Sequence, residues 1–208
     1  MAIPKRWSAA QDAAKSTEGG QAHVFPVTRA DDDALYALKR LKNPKRRERF
    51  SREVSTMVQL RAEGLPVPEV IDSDLEDEHP WYVMPWYRDG SLEDRINSPK
   101  ELVTADDIRT IRELAAAIAS LHDAGFSHRD LKPANILLNG DELILADFGL
   151  SLPVDEAADR LTELNEGVGP RLYIAPENES GMNNDQDQRP ADCYAFAKLA
   201  WVLLSHRH

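Results

Sequence analysis

Between Phe126 and Asn135 the chain reads Phe-Ser-His-Arg-Asp-Leu-Lys-Pro-Ala-Asn, which gathers a carboxylate, three basic side chains and an amide into one short stretch. Pro133 denies this stretch a continuous helix. A polar loop set between apolar elements is where catalytic groups concentrate. Immediately after it, Ile136-Leu137-Leu138 and Leu143-Ile144-Leu145-Ala146 read as two strands around Asn139-Gly140-Asp141, a strong hairpin signal. The hairpin returns the chain beside its own start, so Asn135, just before it, and Asp147, just after it, meet at one open end. An amide oxygen and a carboxylate together suit Mg²⁺, which keeps several waters and completes its shell with substrate phosphates.

These groups need elements to position them. Upstream, Thr104 can cap a helix whose first turn carries Asp106 and Asp107 against the dipole, and Ile108, Ile111, Leu114, Ala115, Ile118, Leu121 and His122 recur at helical spacing until Gly125. That helix is expected to pack, with His122 as a satisfied core histidine. From Ala22 to Trp86 the pattern differs: short strand-like runs surround one helix. Val24–Val27 and Leu35–Leu38 read as strands separated by the turn-rich Thr28–Asp33, and Trp81–Met84 is another strand closed by Pro85. The helix from Lys45 to Arg61 presents Phe50, Val54, Met57 and Val58 inward, with Glu53 on the same face. A carboxylate there is costly to desolvate unless paired, so Glu53 calls for a basic partner, a lysine or, at the edge of the stripe, an exposed arginine. Arg88-Asp89-Gly90-Ser91 marks a turn into a second, helix-rich half.

Composition excludes several classes. With 208 residues, 42% of them hydrophobic, the chain can bury a core, and no apolar run approaches the length of a membrane helix. Met1–Arg6 lacks the apolar segment of a secretory signal, so a cytoplasmic location is expected. Cys193 stands alone, which excludes an internal disulfide and a cysteine metal site. The balance of 25 basic against 36 acidic residues, a net charge of −11, disfavours nucleic acid as a partner. Lys39–Arg52 is locally basic but interleaves only Phe50 for base stacking, and reads as a solvated helix face.

His128-Arg129-Asp130-Leu131-Lys132-Pro133-Ala134-Asn135, followed by Asp147-Phe148-Gly149 and Ala175-Pro176-Glu177, resembles the catalytic and activation segments of a protein kinase. The order and the strand and loop contexts match, and the resemblance runs from about Thr17 to the C-terminus. It implies an α+β, two-lobed kinase-like fold: residues 1–86 as a small antiparallel-sheet N-lobe with one helix, and residues 87–208 as a mainly helical, incomplete C-lobe.

The resemblance also implies roles. Ala37-Leu38-Lys39 is similar to the strand end whose lysine binds the α- and β-phosphates of ATP, with Glu53 as its partner. Asp130 would orient and deprotonate the substrate hydroxyl, Lys132 would neutralise the γ-phosphate, and Asn135 and Asp147 would hold Mg²⁺. Thr17-Glu18-Gly19-Gly20-Gln21-Ala22-His23-Val24 resembles the glycine-rich loop, although only Gly19 occupies a matching glycine position; Thr17 and Ala22 stand at the others. The step from Val24 to Lys39 matches the family. Trp81–Tyr87 resembles the segment joining the lobes, with Met84 at the rear of the nucleotide pocket, Pro85 offering a carbonyl and Tyr87 an amide to the base, and Val24, Ala37 and Leu137 sandwiching it.

Lys132, two residues after the base, is similar to serine/threonine rather than tyrosine kinases, so the implied reaction is transfer of the γ-phosphoryl group of Mg-ATP to a protein serine or threonine. Arg129 resembles the arginine that meets a phosphate on the activation segment; Thr162 is the nearest hydroxyl there, and Glu166 is expected to stand in for the phosphate. Pro170 departs from the usual threonine. Asp192–Trp201 resembles the helix that anchors the catalytic loop. The family's later helices are absent from this sequence, so Trp201, Val202, Leu203 and Leu204 are expected to lie uncovered and to favour self-association, a covering partner or instability. The alternative reading is a truncated nucleotide-binding scaffold without catalysis. A pure interaction module using the Lys39–Arg52 face leaves Asp130, Asn135 and Asp147 unexplained.

Overall fold

The computed structural model describes residues 3–10, 17–18, 22–29, 31–98, 103–153, 171–178 and 187–205. In chain order the elements are strands β1 (Trp7–Ala9), β2 (Thr17–Glu18), β3 (Ala22–Arg29) and β4 (Asp32–Leu41), helix α1 (Arg47–Ala62), and strands β5 (Asp72–Asp74) and β6 (Trp81–Pro85). Helices α2 (Leu92–Ile96) and α3 (Ala105–Asp123), strands β7 (Phe126–Ser127), β8 (Ile136–Asn139), β9 (Glu142–Leu145) and β10 (Leu152–Pro153), and helix α4 (Arg189–Ser205) follow. The architecture is α+β: an antiparallel sheet with one helix, then a mainly helical part. Among the described residues, no helix is long and apolar enough to cross a membrane.

The sheet runs β1-β3-β4-β6-β5, with β2 also on β3. β3 and β4 are longer than their apolar runs suggest, because Thr28 and Arg29 continue the ladder as far as Asp32 and the expected six-residue turn shrinks accordingly. Pro26 is tolerated inside β3 at a position between its pairings with β1 and β2, where its carbonyl accepts from the Ala10 amide and neither of those ladders calls on its nitrogen as a donor. Trp7, Val27, Leu38, Trp81 and Val83 form a small cluster on one face of the sheet. The larger core includes Leu41, Phe50, Met57 and Tyr82 and continues through Leu114, Leu121, Ile136, Leu145, Phe148 and Leu199, so it joins the sheet to the helical part.

Three expectations about burial need correction. On α1 the buried face is Phe50, Glu53, Val54, Thr56, Met57 and Leu60, while Val58 is 54% exposed. Val58 lies about 40° further round the helix than Val54, which already marks the edge of the buried arc. On α3, Thr104 and Asp107 form the expected reciprocal cap, but Ile108 is exposed and Asp107 and Thr110 are buried instead. The cause is Arg95 of α2, which donates to Asp107 Oδ1 at 2.7 Å and Thr110 Oγ1 at 2.8 Å and holds that polar edge inward. On α4, Val202 and Leu203 are buried, whereas Trp201 and Leu204 face outward as expected.

The β8–β9 hairpin forms with a tighter loop than the sequence suggests: Asn139 pairs with Glu142, leaving Gly140-Asp141 as the turn. Gly140 takes φ +61°, which a side chain would strain, and its amide donates to Asp89 Oδ2 at 2.6 Å.

Candidate active site

Lys39 lies in β4 opposite Val24 of β3 and Tyr82 of β6, and Ala37 lies opposite Met84, so Val24, Ala37, Lys39, Tyr82 and Met84 share one face of the sheet. The same face receives α1, whose helical period places Glu53 among its buried residues. Lys39 Nζ donates to Glu53 Oε1 at 2.6 Å and to Asp147 Oδ1 at 3.2 Å. Tyr82 donates its hydroxyl to the same Glu53 oxygen at 2.8 Å. Burial disfavours the charge on Lys39, but Asp147 and Glu53 outweigh it and its pKa rises well above the ordinary lysine value. Burial pushes the Glu53 carboxyl up, and Lys39 pulls it back only in part. The nearby Lys39 ammonium, against the effect of burial, holds Asp147 down at about 2.

The loop carrying Asp130 is held from behind. Asp192, buried at the start of α4, accepts the amides of His128 and Arg129, each at 2.8 Å, and the ring of His122 at 3.0 Å. His122 is thus a satisfied histidine, as its place on the α3 stripe predicts. The fully buried His128 ring takes part as well. Its Nδ1 accepts the Asp130 amide at 3.4 Å, so its Nε2 carries the proton and donates to the carbonyl of Ala146 at 3.1 Å. These contacts fix Arg129 at φ +70° and Asp147 at φ +64°, both non-glycine residues in the left-handed region, a conformation retained only where surrounding contacts enforce it.

On this scaffold Asp130 Oδ2 accepts from Lys132 Nζ at 2.8 Å and from Asn135 Nδ2 at 2.9 Å. Asn135 Nδ2 also donates to the Asp130 carbonyl at 2.8 Å. The Asn135 amide nitrogen is therefore engaged by Asp130, which leaves its side-chain oxygen as the group able to take a cation. Next to it, the Ala146 amide donates to the Asn135 carbonyl at 2.9 Å, so the hairpin does seat Asp147 beside Asn135. Among the described residues no cluster of three or more histidine, cysteine or acidic side chains is placed to chelate a metal. Two oxygen donors, one of them a carboxylate held ionised, fit a hard cation that brings its own waters and phosphate ligands.

The remaining sequence candidates divide. Val24, Met84, Pro85, Tyr87 and Leu137 are half-buried and Ala37 is buried. Pro85 ends β6 opposite Tyr36, and Leu137 of β8 bridges to Ser91. Burial pushes the Tyr87 phenol up to about 12. Gly19, Thr162, Glu166 and Pro170 lie outside the described residues. The basic run does not form one face: Lys39 enters the core pair, Arg40 is buried, Arg52 meets Glu48, and Arg47 donates to the carbonyls of Leu75 and Asp77. Sequence reasoning missed two contributors. Tyr82 reads as an apolar strand residue, and only the register opposite Lys39 shows its hydroxyl to be a second partner of Glu53. Arg49, one turn before Glu53, reaches the Asp147-Phe148-Gly149 segment.

A family model described as the protein kinase domain matches residues 13–208. Curated relatives include the serine/threonine-protein kinase pkn2 of Myxococcus xanthus, 30% identical over 77% of this chain and 19% of its own length. The probable serine/threonine-protein kinase PknB of Corynebacterium glutamicum is 29% identical over 90% of this chain and 30% of its own length. The probable serine/threonine-protein kinase pknA2 of Bifidobacterium longum is 28% identical over 90% of this chain and 25% of its own length. The chain thus spans less than a third of the length of each of these three relatives.

Proposed function

Since the chain belongs to the protein kinase family, and to the Hanks-type serine/threonine kinases within it, we propose that it transfers the γ-phosphoryl group of Mg-ATP to a serine or threonine hydroxyl of a protein. The reading rests above all on the joining of Lys39, Glu53 and Asp147 at 2.6 and 3.2 Å, three charged groups drawn from β4, α1 and the segment after β9. A buried ammonium with two carboxylates is expensive as mere structure and useful where phosphates must be gripped.

Residues 1–86 serve as the nucleotide lobe and residues 87–208 carry the catalytic loop. Val24, Ala37, Met84 and Leu137 supply apolar surface for the base, and the Pro85 carbonyl and Tyr87 amide supply its polar contacts, with Gly19 in the loop over the phosphates. Lys39, kept charged and oriented by Glu53, binds the α- and β-phosphates. Asn135 and Asp147 would hold Mg²⁺, which when bound neutralises phosphate charge. Asp130 directs the substrate hydroxyl in line with the γ-phosphorus. As the new oxygen–phosphorus bond forms and the bond to the β-phosphate oxygen breaks, the hydroxyl proton passes to Asp130, with Oδ1 as the acceptor because Lys132 and Asn135 hold Oδ2. Lys132, 2.8 Å from Asp130, stabilises charge on the transferring group.

The test is transfer of labelled γ-phosphate from ATP to a generic basic protein, with Mg²⁺ and with a chelator, for the wild type and Asp130→Asn. Mg²⁺-dependent labelling that Asp130→Asn abolishes supports the reading. Labelling that survives in Asp130→Asn overturns it. Mg²⁺-dependent nucleotide binding with no labelling by the wild type replaces it with a nucleotide-binding scaffold.

A further inference from the structure

Arg49 is a charged side chain at the site to which the proposed mechanism gives no role. Arg49 projects from α1 one turn before Glu53, so both lie on the side of the helix that meets the Asp147–Gly149 segment. A Cβ built on Gly149 would lie 3.4 Å from Arg49 Nε, 3.5 Å from Arg49 Nη2 and 3.6 Å from Asp147 Oδ1. The guanidinium and the Asp147 carboxylate therefore stand over the same glycine, which admits both because it has no side chain. Arg49 is half-buried, and its attraction to Asp147, Glu53 and Asp130 acts against the burial and the neighbouring Arg46 that disfavour its charge.

We propose that Arg49 is a positioning residue that sets the divalent-cation requirement of the site by competing, as a fixed positive charge, for Asp147. This rests on Asp147 being a cation ligand, as argued under the proposed function. A second cation beside a carboxylate that must receive Mg²⁺ weakens ion binding by Coulomb repulsion, and the partly buried position limits screening by solvent. Arg49 and Glu53 are both carried by α1, so the helix brings one positive and one negative charge to the Asp147–Gly149 segment.

The experiment measures binding of the fluorescent nucleotide mant-ADP as Mn²⁺ or Mg²⁺ is titrated, and needs no turnover. Arg49→Gln is expected to lower the half-saturating cation concentration by roughly threefold to tenfold, the size of effect that one partly screened charge exerts at this range. Arg49→Lys, which keeps the charge, is expected to return the value to within about twofold of the wild type. Arg46→Gln, on the preceding turn, serves as the control for a general change in helix charge and is expected to leave it within about twofold. Thermal melts confirm that each variant is folded. An unchanged or raised cation requirement in Arg49→Gln overturns the proposal, as does an Arg49→Lys protein that behaves like Arg49→Gln, which would make the arginine's packing the operative feature. Nucleotide binding by the wild type that ignores divalent cation altogether sinks the reading of Asp147 itself, a different outcome from either.

Discussion

Lys39 is held by side chains from separate elements, whereas the loop that carries Asp130 is clamped through its backbone amides. Around Lys39, the carboxylates of Glu53 and Asp147 and the hydroxyl of Tyr82 converge from α1, the segment after β9, and β6. Around Asp130, one buried carboxylate, Asp192, takes two consecutive backbone amides, and one buried histidine ring ties the loop to the end of the hairpin. A network of side-chain charges depends on where α1 sits and can be remade if the helix moves. A loop clamped through its amides keeps its conformation without regard to the helix. The difference assigns adjustability to the Lys39 end of the site and rigidity to the Asp130 end.

Substitutions can break that contrast, and the largest effect is expected at Asp130. Asp130→Asn keeps the volume and the hydrogen-bonding capacity but cannot take the proton, and phosphoryl transfer should fall by roughly 10²–10⁴-fold with little change in melting temperature. Steady-state kinetics beside a thermal melt checks both halves of the statement. Next is Lys39→Met, which removes the proposed phosphate contact and takes from Glu53 its ammonium partner; kcat/KM for ATP is expected to fall by about 10²–10³-fold, the loss of one strong electrostatic contact. Stability should suffer less than the roughly 3–5 kcal/mol of a broken buried pair, because Glu53 can take up a proton.

Asp192→Ala tests the clamp itself. Two buried backbone donors and the His122 ring lose a charged acceptor, so destabilisation of about 3 kcal/mol or more is expected by denaturant titration, together with loss of transfer even though Asp192 touches no reacting atom. A stable, active Asp192→Ala protein would remove the distinction between the two ends. Tyr82→Phe sharpens the comparison at smaller scale: one hydrogen bond to Glu53 is lost, at a cost of about 1 kcal/mol, with the KM for ATP rising more than kcat falls.

The acid limb offers the finest discrimination. Asp147 titrates at about 2 in the folded chain, below the ordinary 3.8, so its stabilising contribution is present above pH 3.8 and is lost as the pH falls towards 2. The difference in melting temperature between the wild type and Asp147→Asn should therefore close over that window. For Lys39 the sign reverses: its raised pKa makes its contribution full below the ordinary 10.5 and lost only as the pH climbs beyond it. Between these limits the pair should show no pH dependence of its own.

Much of the site was legible because its chemistry is packed into short sequence distances. Asp130, Lys132 and Asn135 lie within six residues, and the Gly140 turn dictates that the chain after β9 returns to Asn135. The need of Glu53 for a partner was legible for a different reason, since an acid on an apolar stripe demands a counter-charge, and the family resemblance of Ala37-Leu38-Lys39 pointed to Lys39 as the one that supplies it. What escaped was set by rotation and register. Val58 and Ile108 are apolar yet face outward, because Glu53 and Thr56 on α1, and Asp107 and Thr110 on α3, take the inward positions that a hydrophobic count gives to carbon. Arg95, which makes the α3 arrangement possible, belongs to another helix and carries no local signal.

By itself, the sequence determined which groups could do chemistry and in what order they come, since residue type and spacing are properties of the chain alone. It determined the caps and the hairpin for the same reason, because those contacts close within a few residues. Only the tertiary structure decided that Tyr82 donates to Glu53, that Asp192 holds the loop from 62 residues beyond Asp130, and that Arg49 and Asp147 both stand close over Gly149. Each of those depends on the distance and angle between elements joined by long stretches of chain, and those are fixed when the common core packs, not by any local preference of the residues involved.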